Sequence, residues 1–202
     1  ALREFNKVLE INPNDSEAYY NLGNIFNKKS LFDDAVASYK KALAIHPQDA
    51  EVFHNLGNTY ANKGMIDDAI SAYRKAVEIN PNLAESHKSI AYLYKKKGQI
   101  SESVSSFEKA TTFHPKDTNL LFDLASLYES NGLQDNAILT YKKLLSIDPA
   151  HKEAKNSLAM LYNSKGVSLA LQGKTDDAIA AYKDALQNKE DFKEAYNNLG
   201  AA

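Results

Sequence analysis

The chain has 202 residues, of which 44% are hydrophobic and 25% charged, and its formal net charge is −2. This balance leaves no overall electrostatic field that would draw the chain to nucleic acid or to anionic lipid. The sequence contains no cysteine, which excludes disulfides, thiolate catalysis and cysteine-ligated zinc. No apolar run approaches the ~20 residues of a membrane-spanning helix. We therefore expect a soluble chain, with the cytoplasm as the favoured compartment, and no binding to nucleic acid.

Five prolines recur with a fixed spacing of 34 residues along the chain. A fixed period of this size indicates a stack of repeated units rather than one irregular domain. We number the positions of each repeat from the third residue after a proline, which makes Ser16 position 1 of the first full repeat. The prolines are Pro13, Pro47, Pro81, Pro115 and Pro149, and further repeats begin at Ala50, Ala84 and Thr118.

Each repeat carries the same apolar pattern. In the first full repeat an aliphatic residue and a small residue stand at positions 7 and 8 (Leu22 and Gly23), and an aromatic follows at position 11 (Phe26). A small residue returns at position 20 (Ala35) and an aromatic at position 24 (Tyr39). Spacings of three and four residues predict two helices per repeat. The small residues allow these helices to approach closely, and the aromatics fill the space between them.

Residues with special backbone preferences punctuate this pattern. Glycines separate the two helices in the second, third and fourth repeats, and Ser30 takes that place in the first. Aspartates stand where the N-cap of a first helix is expected, and the prolines that follow each second helix stop it. The glycines are Gly64, Gly98 and Gly132, and the N-cap candidates are Asp15, Asp49 and Asp117.

The pattern YxxLGxxF…A…Y…P resembles the tetratricopeptide repeat (TPR), a helix–turn–helix of 34 residues. The resemblance covers essentially the whole chain and implies an all-α fold, a right-handed α-solenoid of about twelve helices without strands. It divides the chain into the second helix of a truncated repeat (1–15), four full repeats (16–49, 50–83, 84–117 and 118–151), a fifth repeat with a first helix longer by seven residues (152–192), and the start of a further repeat (193–202).

The fifth repeat departs from the period. Leu158, Ala159 and Tyr162 fit a register that begins at Lys152, but the acidic pair Asp176-Asp177 and the residues after it fit only a register moved by seven residues. Seven residues are close to two helical turns. The spacing therefore predicts one continuous first helix from Lys152 to about Gln172, with a loop at Ser164–Gly166 as the alternative.

The sequence contains no catalytic motif that we can identify. It has no serine elbow, no phosphate-binding glycine loop and no HExxH. His87 takes the aromatic position 4 of its repeat, where a packed ring is expected, and the acidic pairs recur at one repeat position, where they favour a helix N-terminus. We therefore expect a chain that is not an enzyme, with no catalytic residues, no metal site and no cofactor.

The TPR resemblance implies a binding surface. In that family the first helices of the repeats line a concave groove that holds segments of partner proteins. The alternative is that these positions are simply solvated, but the aromatics Tyr20, Tyr92 and Phe122 among them weigh against it. Carried over position by position, the groove residues are Tyr20, Asn21, Asn24, Lys28, His54, Asn55, Asn58, Asn62, Lys88, Ser89, Tyr92, Lys96, Phe122, Asp123, Ser126 and Glu129.

Two subtypes of the family can be compared with this chain. The carboxylate clamp of chaperone-binding TPR domains needs Lys, Asn, Asn, Lys and Arg, and only two of these five types are present, so this clamp is not expected. The asparagine ladder of the TPR arm of O-GlcNAc transferase is partly matched at position 6. The clamp positions hold Tyr20, Asn24, Asn55, Glu85 and Ser89, and the ladder positions hold Asn21, Asn55, Ser89, Asp123, Ser164 and Asn198.

These observations favour a non-catalytic scaffold that binds a protein or peptide segment in its groove. Two alternatives stay open. The chain could be the substrate-selecting arm of a larger enzyme, such as a glycosyltransferase, or a self-assembly module that associates through the uncapped repeats at its ends.

Overall fold

A computed structural model describes residues 2–202 of the chain. Within this range all regular structure is helical, as the spacing predicts, and no strand is present. The first helices of the repeats are the even-numbered ones from α2 to α12. The twelve helices are α1 (Leu2–Ile11), α2 (Ser16–Lys28), α3 (Phe32–Ile45), α4 (Ala50–Asn62), α5 (Ile66–Ile79), α6 (Ala84–Lys97), α7 (Ile100–Phe113), α8 (Thr118–Ser130), α9 (Gln134–Ile147), α10 (Lys152–Leu171), α11 (Thr175–Asn188) and α12 (Lys193–Ala201).

The helices form two compact units, Ala1–Phe113 and His114–Ala202, called unit 1 and unit 2 below. Unit 1 holds α1 to α7 and unit 2 holds α8 to α12. Within each unit every first helix packs most extensively against the second helix that follows it, and each second helix also packs against the next first helix. The core of a unit is therefore a series of similar layers, as expected for repeats that contact only their neighbours.

The helix starts follow from the capping residues. The side chain of Asp15 accepts a hydrogen bond from the Ala18 N–H (2.9 Å), and that of Asp117 from the Leu120 N–H (3.0 Å). Asp49 accepts from two amides at the start of α4. These bonds satisfy backbone donors that have no partner within the helix. The three predicted N-caps are thus confirmed, and His151 acts in the same way for α10, accepting from the Ala154 N–H.

A close approach between position 8 and position 24 explains why small and aromatic residues alternate. A Cβ atom added to Gly23 would lie 2.5 Å from Cε1 of Tyr39, a ring that is fully buried. The same atom at Gly57 would lie 2.7 Å from the ring of Tyr73. These distances are far inside the ordinary contact distance of about 3.5–4.0 Å. The tyrosine ring therefore rests directly on the backbone of the partner helix.

The fifth repeat contains the continuous helix that the spacing predicts. α10 runs unbroken from Lys152 to Leu171 over 20 residues, through the glycine at position 166. Its two halves follow different registers. Ser157 bonds to Tyr141 of the preceding repeat, as Ser89 bonds to Tyr73, which is the unmoved register. In its second half Gly166 contacts Tyr182 as Gly23 contacts Tyr39, which is the moved register.

The sequence of α10 fits both registers because the helix makes contacts that belong to each of them. α10 packs against both α9 and α11, and Ala159 in its first half lies in one core cluster with Ala185 of α11. Lys165 lies where the two registers overlap. Its Nζ is 3.0 Å from Oδ1 of Asp135, 30 residues earlier in the chain, and Lys63 pairs with Asp33 over the same separation in sequence. The seven extra residues therefore lengthen the helix by about two turns, or roughly 10 Å, without breaking either contact.

Candidate functional site

The clearest site-like feature of unit 1 is a cluster of carboxamides on its first helices, which we call the amide cluster (Asn24, Asn55 and Asn58). Nδ2 of Asn55 donates to Oδ1 of Asn24 (3.3 Å), across the contact between two repeats. Nδ2 of Asn58 lies 3.5 Å from Oδ1 of Asn55 within α4. All three side chains are half-buried. The sequence predicted them as separate groove residues, and the structure brings them into one connected group.

Two buried tyrosines donate hydrogen bonds to the amide cluster from the core. The Tyr39 hydroxyl donates to Oδ1 of Asn24 (2.6 Å), and the Tyr73 hydroxyl donates to Oδ1 of Asn58 (2.6 Å). Both tyrosines come from second helices and are part of the core. Burial raises the pKa of both phenols. The hydroxyls therefore stay protonated at neutral pH and act as donors to the carboxamide oxygens.

Tyr20 closes the cluster on one side. Its hydroxyl donates to Oε1 of Glu51 (2.6 Å) and accepts from Nδ2 of Asn55 (3.0 Å). Burial is the main cause that raises the pKa of Tyr20, and the hydrogen bond to Glu51 adds to it. The Tyr20 ring also lies against Tyr39, with the ring centroids 6.2 Å apart. Tyr20 thus links the carboxamides to a carboxylate at the first turn of α4.

His54 occupies the position of Tyr20 in the next repeat. Its Nδ1 lies 2.8 Å from the Ser86 hydroxyl, and its ring packs against Tyr73 at 5.5 Å between centroids. Burial lowers the pKa of His54, although Glu85 and Glu51 act in the opposite direction. The imidazole is therefore neutral at pH 7 and adds a flat polar ring to this face.

The third repeat replaces amides with an aromatic. Tyr92 stands at the position of Asn24 and Asn58, is 36% exposed, and meets the edge of the Phe107 ring at 5.1 Å. Lys88 is half-buried and Lys96 is exposed on the same helix. The first-helix side of unit 1 therefore runs from amides to an aromatic and basic region.

The remaining predicted residues of unit 1 do not join the cluster through any hydrogen bond that the structure shows. Asn21 is half-buried on α2, and Ser89 bonds to Tyr73. Lys28 and Asn62 are exposed at the last turn of their helices.

Unit 2 has a separate cluster. Phe122 lies between Tyr141 and His151, with centroid distances of 5.8 and 5.2 Å. The Tyr141 hydroxyl donates to Oε2 of Glu129 (2.9 Å), and its pKa is raised mainly by burial. Ser126 also bonds to this hydroxyl. Asp123, the remaining candidate of unit 2, is half-buried on the same helix.

Sequence reasoning missed an apolar row on α10. Met160, Val167 and Leu171 are 57%, 39% and 86% exposed. Met160 is position 9 in the unmoved register, and Val167 is position 9 in the moved one. The sequence contains a signal for this row, because the residue at position 9, a predicted groove position, is apolar in both registers of this helix. The predicted groove residues all lie in the four regular repeats.

Two of the asparagines at position 6 bond to the repeat before their own. Asn55 at position 6 reaches Tyr20 at position 5 of the repeat before it, and Asn198 reaches Asn163 in the same way, with Nδ2 to Oδ1 at 2.9 Å. Both carboxamides thus bond to a side chain of the neighbouring repeat. Along residues 2–202 we find no group of three or more His, Asp or Glu side chains placed to hold a metal ion. Nor does any helix in that range have the length and apolar character needed to cross a membrane.

Comparison with protein families gives a uniform result. Models described as tetratricopeptide repeat or TPR repeat match residues 4–37, 23–64, 50–83, 84–117, 118–151 and 153–202. Together these matches run from residue 4 to residue 202. The search of curated proteins found no match.

Solved structures show the same architecture. MamA is 27% identical, with a TM-score of 0.66 over 87% of this chain and 92% of MamA. YrrB, described as a TPR protein with an unusual peptide-binding site, is 22% identical, with a TM-score of 0.69 over 98% of both chains. The C-terminal part of a TPR repeat-containing protein from Cytophaga hutchinsonii is 16% identical, with a TM-score of 0.69 over 98% of this chain and 93% of that one. The chain therefore belongs to the tetratricopeptide repeat family.

Proposed function

We propose that this chain is a non-catalytic interaction scaffold that binds a segment of a partner protein across the first helices of unit 1. The observation that carries the proposal is the amide cluster, which places three half-buried carboxamides next to each other on one face. Carboxamides both donate and accept hydrogen bonds, so they can pair with the peptide groups of a bound chain. YrrB, a protein of the same fold, is described as having a peptide-binding site.

The spacing of the helices fits an extended ligand. Packed helices lie roughly 8–10 Å apart, and an extended peptide advances about 3.3 Å per residue. One carboxamide per repeat would therefore meet the peptide backbone at about every third residue. Specificity would come from the side chains around the cluster, which are Tyr20 and His54 on one part of the face and Tyr92 and Lys96 on the other.

Unit 2 has a second candidate binding surface, of different composition. Phe122 and the row of Met160, Val167 and Leu171 give it aromatic and apolar side chains, while Asp123 and Glu129 make it acidic. A partner segment for this unit would carry apolar and basic residues. We therefore propose that the two units bind segments of different composition.

The test uses a displayed library of random peptides selected against the whole chain. Peptides are then measured against Asn55→Ala combined with Tyr92→Ala, which alters the first helices of unit 1. Lys40→Ala combined with Lys109→Ala is the matched control, because both lysines are exposed on second helices of the same unit. We expect the first pair to weaken binding and the control pair to leave it unchanged. Peptides that bind the wild-type chain and both variants equally would show that unit 1 uses another surface.

A further inference from the structure

We propose that Tyr39 and Tyr73 are positioning residues, which turn the N–H groups of Asn24 and Asn58 outward so that unit 1 recognises the carbonyl oxygens of an extended acidic segment. This inference rests on the proposed function and specifies its ligand. It starts from an orientation problem, because a carboxamide presents either its oxygen or its nitrogen to a ligand, and the two select opposite partners.

The buried hydroxyls decide that orientation. Tyr39 is fully buried and has one proton to donate, and Oδ1 of Asn24 receives it at 2.6 Å. If the Asn24 carboxamide turned over, its nitrogen would face the hydroxyl and leave the buried phenol without this acceptor. Leaving a buried donor unsatisfied costs much more than a hydrogen bond gains. Tyr73 fixes Asn58 through an equivalent bond.

The hydrogen bonds between the asparagines occupy the carboxamide oxygens further. Oδ1 of Asn24 also accepts from Asn55, and Oδ1 of Asn55 faces Nδ2 of Asn58. The oxygens are thus directed into the cluster. Each Nδ2 group carries two protons, and the cluster engages only part of them. A ligand that approaches the half-exposed side chains therefore meets N–H donors, which pair with carbonyl or carboxylate oxygens.

The other repeats support the link between hydroxyl and carboxamide. In the third repeat the second-helix aromatic is Phe107, which has no hydroxyl, and Tyr92 stands where the amide would be. In the fourth repeat the hydroxyl is restored in Tyr141, and Glu129 and Ser126 bond to it. The fifth repeat is the exception, because it has Tyr182 at position 24 and Val167 at position 9 of the moved register. In the three of the first four repeats that have the tyrosine hydroxyl, a polar side chain of the first helix bonds to it.

The charges on the same face select among acceptor-rich ligands. Lys28 and Lys96 are exposed at the last turns of α2 and α6. Glu51 stands at the opposite, N-terminal end of α4 and already accepts the Tyr20 hydroxyl. A segment that crosses the amide cluster beside the C-terminal ends of these helices would therefore place acidic side chains next to lysines. An acidic, extended peptide satisfies both the donors and the cations.

The experiment uses the peptides selected above and two kinds of variant of the whole chain. Tyr39→Phe combined with Tyr73→Phe keeps both rings and removes the hydroxyls. Tyr182→Phe is the control, because its repeat has no amide at the matching position. Asn24→Asp combined with Asn58→Asp keeps an acceptor for each tyrosine and removes the N–H groups. We expect acidic peptides to be enriched, the double phenylalanine variant to bind about three- to tenfold more weakly, and the double aspartate variant to lose more.

Two further measurements test whether the carboxamide N–H groups donate to carbonyl oxygens of the peptide. Peptides N-methylated at alternate residues keep their carbonyl oxygens and lose backbone donors, so they should still bind the wild-type chain. The side-chain amide signals of Asn24 and Asn58 in ¹⁵N NMR spectra should shift when the peptide is added.

The outcomes are distinguishable. If no peptide depends on Asn55 and Tyr92, the proposed function of unit 1 fails. If peptides depend on these residues but are basic, or bind the double aspartate variant as well as the wild type, the proposed function stands and the assignment of donors is wrong. If N-methylation abolishes binding, the cluster recognises peptide N–H groups instead.

Discussion

The contact between Gly166 and Tyr182 gives a direct test of how α10 is built. A Cβ atom at Gly166 would lie 2.5 Å from Cε1, 2.7 Å from Cδ1 and 3.0 Å from Cζ of Tyr182. The ring is only 3% exposed, so it has no room to swing into solvent. It would have to retreat by about 1 Å to restore an ordinary contact. Gly166→Ala therefore forces the two helices apart at this point.

The expected change in the free energy of unfolding is the difference between two effects. Overpacking a core in this way costs about 1–3 kcal/mol, whereas alanine regains up to ~1 kcal/mol of helix propensity over glycine. We expect Gly166→Ala to lower the free energy of unfolding by up to about 2 kcal/mol. Gly200→Ala is the matched control, because a Cβ atom there meets nothing within 4 Å. It should leave stability unchanged or raise it slightly.

The assay is urea denaturation followed by circular dichroism, with the m-values compared to confirm that the same surface unfolds. In a Tyr182→Leu background the obstructing ring is absent, so Gly166→Ala should become neutral or stabilising. The double-mutant cycle then isolates the contact itself. If Gly166→Ala stabilises the wild-type chain as much as the Tyr182→Leu chain, the second half of α10 does not rest on Tyr182 and the moved register is wrong.

Four further outcomes follow from single contacts. Ser30 has a φ of 59° in a turn where other repeats have glycine. Glycine would remove a strain of about 1–2 kcal/mol but would lose about 0.5–1 kcal/mol of conformational entropy on folding, so Ser30→Gly should stabilise the chain by about 0.5–1 kcal/mol in thermal or urea unfolding; a loss would contradict this. Burial lowers the pKa of His54 below its ordinary 6.5, so stability should fall as the pH drops below that value, and His54→Phe should show a smaller fall in melting temperature. Burial raises the pKa of Tyr141 above its ordinary 10.0, so stability should fall as the pH rises above that value, and less so in Tyr141→Phe. The Lys63–Asp33 ion pair is largely exposed on its acidic side, so Asp33→Asn should cost well under about 1 kcal/mol, and less at high salt.

The fold was predictable because one pattern is repeated many times. A single small residue followed 16 positions later by an aromatic means little, but Gly23 and Tyr39 recur as Gly57 and Tyr73. Each recurrence in the structure is the same ring resting on the same backbone position. The continuous helix α10 was predictable for a related reason, since seven residues nearly complete two turns and keep the apolar face aligned.

The sequence could not show which neighbouring helix each residue of α10 contacts. Leu158 and Gly166 each fit position 7 or 8 of a repeat, and nothing in the order of residues tells which neighbour each one faces. That depends on how α9 and α11 pack against α10, which contacts both helices. The exposed row of Met160, Val167 and Leu171 follows from the same extension, because it stands on the longer helix and not on a regular repeat.

The amide cluster shows a second limit and its physical reason. Sequence spacing placed Asn24 and Asn58 on the first helices, as residues of a binding groove with no expected part in the core. The structure instead gives each oxygen to a buried tyrosine of a second helix, 15 residues away. These residues therefore contribute to the core as well as to the surface. Replacing Asn24 with alanine would leave the Tyr39 hydroxyl without its acceptor, so loss of binding and loss of stability would come together. Tyr39→Phe separates the two effects, because it keeps the ring on Gly23 and removes only the hydroxyl that orients the carboxamide.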